Sequence, residues 1–291
     1  MKIVTTNYNL HNRFSIEKTI EMISQAGFDG IDFSDIPVES EVWEKTYQKY
    51  AKHIRNVADN FGIVFSQTHA PIIGSVLRAY NQDKQFAIDR IRRSIEFSAL
   101  IGAEHVVIHP IQNPKYATDS ERVFEENMNY ISQLIPCAED CHIKIAIENM
   151  VMPTLDGARQ RDGVCADPEE FKRYIDALDS KCITGCLDFG HCAISGREAQ
   201  DMLRAMGADY ITSVHIHDND FIKDCHQLPC TMKMNWEEIC KAMAEVGYRG
   251  DFTLEAVNFW NGYSDEFIPE ALHFMYQTSK YLVDKIKKYN V

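Results

Sequence analysis

The sequence predicts a (β/α)8 barrel, an α/β fold, and three observations carry the prediction. Eight short runs rich in Ile, Val, Phe and Thr recur along the 291 residues, and amphipathic stretches lie between them. No linker or low-complexity segment divides them, so residues 1–291 read as one barrel domain, a length such barrels commonly reach. Run after run also closes on a His, Asp or Glu, as expected where one fold gathers its strand ends at a single face.

The runs are KIVTTN (2–7), GIDFS (30–34), IVFSQTHA (63–70), HVVIHP (105–110), KIAIENM (144–150), TGCLDFGH (184–191), ITSVHIHD (211–218) and DFTLEAV (251–257). Short and mostly apolar, they suit strands buried on both faces of a parallel sheet. Between them lie helical patterns. SIEKTIEMISQAG opens on Ser15 as N-cap, carries Glu17 and Glu21 early and stops at Gly27. KQFAIDRIRRSIEFSALIG, ERVFEENMNYISQLI, DPEEFKRYIDAL, REAQDMLRAMG and NWEEICKAMAEVG repeat the scheme. The punctuation QAGFDG, EVGYRG and AMGADY places a glycine where a helix must turn into the next strand. The competing fold is an open doubly wound sheet, which carries a Gly-rich phosphate turn after its first strand. Here NYNLHNRFS follows, with no glycine.

Thirty basic against 43 acidic residues give a net charge of −13, which disfavours a simple cationic nucleic-acid surface. The loops NYNLHNR and SDIPVESEVWE show no basic-aromatic cluster either. No apolar run approaches the ~18 residues of a membrane span, and MKIVTTNYNL lacks the layout of a signal peptide. The nine cysteines include no CxxC pair. The expectation is a cytoplasmic protein with reduced thiols.

The strand ends carry the chemistry. Alternation puts Ala146 and Glu148 on one face, opposite Ile145 and Ile147, and Thr253 and Glu255 on one face, opposite Phe252 and Leu254. The bulky residues pack toward helices while the carboxylates point to the barrel axis, where a buried charge needs a partner. Asp188 with His191, His215 with His217, His69, His109, and Asp224 with His226 are the available partners. A divalent cation satisfies them together. Each has a plainer alternative: His69 and His109 stand just before prolines and can order turns, and Asp188 with His191 can be a loop cap.

These motifs resemble the xylose-isomerase-like TIM-barrel superfamily of sugar isomerases and epimerases, inosose dehydratases and endonuclease IV. The residues that carry the resemblance are THAP (68–71), IHP (108–110), IENM (147–150), LDFGH (187–191), HIHDN (215–219), DCH (224–226) and TLEA (253–256). It implies Glu148, Asp188, His215 and Glu255 as metal ligands, with Glu148 and Glu255 also the catalytic proton-transfer pair. His215 is preferred to His217 because it stands three residues before Asp218. His69, His109, His191 and His217 are the implied substrate contacts. His69, His109, His191, Asp224 and His226 are candidates for additional metal. A mainly oxygen ligand set suits Mn2+ or Mg2+, and added histidines favour Zn2+ or Co2+.

The implied activity is isomerisation or epimerisation of a keto-sugar or related polyol through a metal-stabilised enediolate. An enolate-forming lyase of the inosose-dehydratase kind and an endonuclease IV-like phosphodiesterase are the alternatives. The implied partner is a small-molecule sugar, with a homo-oligomer as the family analogy; no membrane partner is expected, and the charge disfavours nucleic acid. Two segments depart from the family. HQLPCTMKMNW (226–236) has Cys230 and Lys233 where small residues are expected, and no Arg lies near 218–228, Lys223 being the nearest cation. With no phosphate cradle visible, an unphosphorylated substrate is favoured. The polar segment 151–168, with Arg159 and Arg161, is a candidate to close over it.

Overall fold

The computed structural model describes residues 1–34, 46–79, 81, 83–153 and 160–290. Most of SDIPVESEVWE, and Arg159, lie outside the described residues. Eight parallel strands form the barrel: β1 (Ile3–Thr6), β2 (Gly30–Phe33), β3 (Val64–His69), β4 (His105–Ile108), β5 (Lys144–Glu148), β8 (Ile183–Asp188), β9 (Ile211–His215) and β10 (Phe252–Leu254). They pair in the order β10-β1-β2-β3-β4-β5-β8-β9. The seam between β9 and β10 is closed by Ile216 N–H donating to the Thr253 carbonyl and Glu255 N–H donating to the Ile216 carbonyl, both at 2.9 Å. The expected (β/α)8 fold is present, one strand to each run.

Alternation divides the packing as the sequence predicts. Ile31, Phe33, Phe65, Ile145, Ile147, Leu187, Phe252 and Leu254 face the helices and are fully buried. Each such side chain contributes roughly 1.5–3 kcal/mol by leaving water. The opposite face forms a separate small apolar layer, Val107, Ala146 and Cys186, across the barrel interior. The site residues stand directly above it.

Several elements differ in extent from the sequence reading. The run TGCLDFGH breaks at Asp188, and a short helix, Phe189–Ile194, begins there. The cause is local: the Asp188 side chain accepts from His191 N–H at 2.7 Å, an N-cap that turns the chain. The expected loop at 151–168 contains a hairpin of β6 (Val151–Pro153) against β7 (Gln160–Asp162), and Pro168 already starts a helix. Arg161 donates to the Pro114 carbonyl at 3.5 Å and does not line the central cavity. At the first helix both expectations hold: Ser15 accepts from Lys18 N–H, and Gly27 adopts φ 109, a conformation that favours glycine.

Candidate active site

The strand ends converge on three overlapping groups of side chains. In the first, the Nε2 atoms of His69 and His109 face each other at 3.0 Å and lie 3.4 and 3.0 Å from Glu148 Oε2. In the central group, His215 Nδ1 lies 3.5 Å from Glu148 Oε1, 3.5 Å from Glu255 Oε2 and 4.0 Å from Asp188 Oδ2. In the third, Asp224 Oδ2 lies 3.0 Å from His226 Nε2 and 3.5 Å from His191 Nε2. The groups His69/His109/Glu148 and Glu148/Asp188/His215 each bring their ligand atoms within 4.8 Å of one another. Glu148 belongs to both.

The outer nitrogen of each of three histidines is already committed. Nδ1 of His69 donates to the Ala70 carbonyl at 2.7 Å, that of His191 to the Asn149 carbonyl at 2.8 Å, and that of His226 to the Glu255 carbonyl at 3.0 Å. These bonds fix the tautomer and leave the Nε2 lone pairs pointing into the site. His215 is turned the other way: its Nε2 lies 3.3 Å from Asp32 Oδ2. Asp32 accepts from Gln67 Nε2 at 3.2 Å, and Gln67 Oε1 accepts from Ser213 Oγ at 2.7 Å. This chain runs under the site and presents Nδ1 of His215 to the carboxylates. Two lone pairs cannot face each other at 3.0 Å without a proton or cation between them. Glu148 Oε2 and Asp224 Oδ1 are also buried without a hydrogen-bond partner among the described residues. The donor set therefore fits divalent metal ions.

His217, like His215, is shut off from the cavity, and it differs from His215 in facing both oxygens of Asp188. It has no exposed surface, does not line the cavity, and its Nδ1 has no hydrogen-bond partner among the described residues. Its Nε2 lies 3.1 and 3.2 Å from the two Asp188 oxygens, and its ring stacks on His226 with centroids 4.0 Å apart. Expected against substrate, it is instead sealed beneath the site, because the helix at Phe189–Ile194 covers it. Gly190 is the point of contact: a Cβ there would fall 1.9 Å from His217 Cε1.

The electrostatics follow from these contacts. Burial pushes Glu148 up, but the His109 and His215 imidazoles outweigh it and hold the carboxyl well below its ordinary range. Asp188 is lowered in the same way by His191 and His217. Burial pulls His191 and His215 down; Asp188 and Asp224 lift His191 well above its ordinary value, as Cys186, Glu255 and Glu148 lift His215. For His226, Glu255 and Asp224 overcome burial and raise it to about 10. His109 is lowered, chiefly by burial.

Above the groups opens a cavity of about 790 Å3, lined by His69, His109, Glu148, His191, Asp224, His226 and Glu255 together with Tyr8, Arg78, Gln112 and Asn258. Asp188 and His215 lie at its floor, fully buried. Asp218 stays out of the site. It accepts from Met232 N–H, Met234 N–H and Trp236 Nε1–H at 3.0, 3.1 and 2.9 Å, and so anchors the unusual 226–236 segment. The H-x-x-D spacing thus joins a site residue to a loop anchor. Sequence reasoning missed Asp32, Gln67 and Asn149. Asn149 accepts from Asp188 N–H at 2.7 Å and donates to its carbonyl at 3.1 Å, besides receiving His191. The available signal was a polar residue inside an otherwise apolar strand.

The family described as xylose isomerase-like TIM barrel matches residues 20–278, and the chain belongs to it. An uncharacterised protein of Methanocaldococcus jannaschii is 26% identical over 269 residues, covering 90% of this chain and 86% of that one. Among solved structures, a D-tagatose 3-epimerase-like protein superposes with a TM-score of 0.76 at 20% identity over 100% of both chains. The IolI protein, solved with a bound zinc atom, superposes at 0.73 with 16% identity over 99% of both. Identities this low establish the shared fold. No helix among the described residues is long and apolar enough to cross a membrane.

Proposed function

We propose that the chain is a divalent-metal-dependent isomerase or epimerase of a keto-sugar or related polyol. One observation carries the reading. Glu148 on β5 and Glu255 just beyond β10 approach His215 Nδ1 from different strands, each at 3.5 Å, and both line the same cavity. A substrate held there lies between two carboxylates. Glu148, Asp188, His215 and Glu255 would hold the central ion. When bound, it supplies positive charge to the oxygens of the substrate and so makes the neighbouring C–H more acidic.

Glu255 would take the proton from the carbon beside the carbonyl and release it to solvent, and Glu148, charged with a solvent proton, would deliver that one on the other face; Glu255 itself would return its proton where the neighbouring carbon receives it. Of the two, Glu148 is the more constrained, because His69 and His109 also hold it. Glu255 is therefore assigned as the first base. His191 and His226 orient substrate oxygens from the Asp224 side. His217 is reassigned from substrate contact to a clamp on Asp188. The two flanking groups are rich in imidazole, which moves the metal preference from Mg2+ toward Zn2+, Co2+ or Mn2+.

A second reading rests on those flanking groups. His69/His109/Glu148 and His191/Asp224/His226 provide for up to two further ions, a set suited to phosphodiester hydrolysis of the endonuclease IV kind. One experiment separates the readings. Metal-loaded protein is incubated with ketopentoses and ketohexoses, free and phosphorylated, in deuterated water and, separately, with DNA containing an abasic site. Deuterium at the carbon beside the carbonyl, lost in Glu255→Gln, supports the isomerase. Strand cleavage without exchange, with three ions bound per chain, overturns it.

A further inference from the structure

The cavity wall above His69 and His109 carries two polar groups that the proton-transfer chemistry does not use. Arg78 follows β3, and it is the one Lys or Arg among the described residues that line the cavity. Its guanidinium folds back over its own helix, with Nη2 3.0 Å from Ser75 Oγ, and no carboxylate among the described residues pairs with it. Arg13, Arg55, Arg92, Arg173, Arg197 and Arg204, by contrast, each meet a carboxylate. Gln112 follows β4. Its Oε1 and Nε2 are both buried and without a hydrogen-bond partner among the described residues, although the side chain lines the same cavity.

We propose that Arg78 and Gln112 form a subsite for the far end of the substrate, and that this end carries an anionic group. A guanidinium presents parallel donors that match a carboxylate or a phosphate. The cavity is otherwise lined by Glu148, Asp224 and Glu255, which repel an anion unless a local cation receives it. A buried amide with both ends open is costly until a ligand meets it, and a sugar hydroxyl both donates and accepts. Arg78 stands on the helix Ile73–Ala79 that follows the strand of His69, and Gln112 on the loop that follows the strand of His109. The substrate therefore runs from the central carboxylates toward β3 and β4, placing its hydroxyls under Gln112 and its anion at Arg78. The cavity of about 790 Å3 lies within the range of small-molecule sites, ~300–1,000 Å3. The substrate class rests on the isomerase reading for the identity of the reacting carbon. The subsite itself does not.

The test is calorimetric binding of ribitol, ribitol 5-phosphate, ribonate and inorganic phosphate to the metal-loaded protein. One of the two anionic polyols should bind at least about tenfold tighter than ribitol, and which one gains separates phosphate from carboxylate. Arg78→Ala should reduce that preference to under about threefold, and Arg78→Lys should retain part of it. Gln112→Leu should weaken all three polyols alike, by about tenfold. A preference that survives Arg78→Ala comes from the metal and overturns the proposal. So does equal binding of the three polyols by the unmodified protein, or binding of inorganic phosphate as tight as that of ribitol 5-phosphate. Deuterium exchange into ribulose 5-phosphate is followed on the same samples. No exchange, with Arg78-dependent binding intact, sinks the isomerase reading and leaves the subsite standing.

Discussion

The same eight strands end in two different kinds of chemistry. At their N-terminal ends, Ser66 Oγ apart, the polar groups close one another off: His105 Nε2 lies 2.9 Å from Thr212 Oγ1, Thr212 lies 2.9 Å from Thr184 Oγ1, and Thr184 donates to the Tyr210 carbonyl. Asp251 likewise accepts from Lys2 N–H at 3.0 Å. At their C-terminal ends Glu148 Oε2, Asp224 Oδ1 and both ring nitrogens of His215 are buried with no hydrogen bond of good geometry among the described residues. One end of the barrel is built for stability and the other is left unsatisfied, with atoms aimed at a ligand. Four substitutions or treatments sharpen or break this contrast.

The largest difference is expected at Glu255. Replacing it with Gln at the open end should lower turnover of the metal-loaded protein by about 10²–10⁴, while the thermal midpoint of the metal-free protein stays close to that of the parent. A large fall in the midpoint alongside activity would show that the open end is also a stability element. Metal removal comes next. Ions at a thousand times their dissociation constant stabilise by about 4 kcal/mol, so chelation should lower the urea midpoint. The midpoint of a Glu148→Gln/Asp188→Asn double variant should respond far less.

The two ends should also answer pH with opposite sign. Burial, helped by Lys144, lowers His105 to about 4. Its neutral form is the folded one, so stability is complete above about 6.5 and falls as pH drops through that value, by about 2 kcal/mol between pH 6.5 and 5. His191, His215 and His226 are raised. Their contribution in the metal-free protein is complete below about 6.5 and is lost as pH rises toward 10, the value for His226. Urea midpoints of metal-free protein should therefore decline on both sides of neutrality. His105→Gln should flatten the acid limb alone. Metal loading should flatten the alkaline limb, because bound ions displace those protons.

The contrast also explains what could be read from the sequence. Strands buried on both faces are continuous apolar runs, so all eight were legible, and a carboxylate in such a run had to face the axis. Glu148 and Glu255 were found in that way. Asp32 and Gln67 obey the same rule, but they sit mid-strand, and only the tertiary contact between Asp32 and His215 reveals their purpose. Asn149 carries no mark of its role within IENM, since its bonds go to Asp188 and His191, some 40 residues away in sequence. The antiparallel pairing of β6 with β7 was hidden because the two strands are three residues each, too short for a period to show.

His217 and Gly190 mark the one place where the open end is packed as closely as a core. A methyl group on Gly190 would meet His217 Cε1 at 1.9 Å, and His217 has nowhere to move, being stacked on His226 and bonded to Asp188. Gly190→Ala should cost about 1–3 kcal/mol by overpacking, which by itself resembles a core substitution. Its second effect should not. Displacing the imidazole frees the Asp188 carboxylate and tilts His226, so metal affinity should fall as well, read from competition with a chromophoric chelator. The double variant Gly190→Ala/His217→Ala restores the space and should recover the stability without recovering the affinity. If affinity returns along with stability, His217 is only a filler, and the clamp on Asp188 does not exist. If neither returns, Gly190 is needed by the backbone turn after the Asp188 cap, and the close packing with His217 is a consequence of that turn.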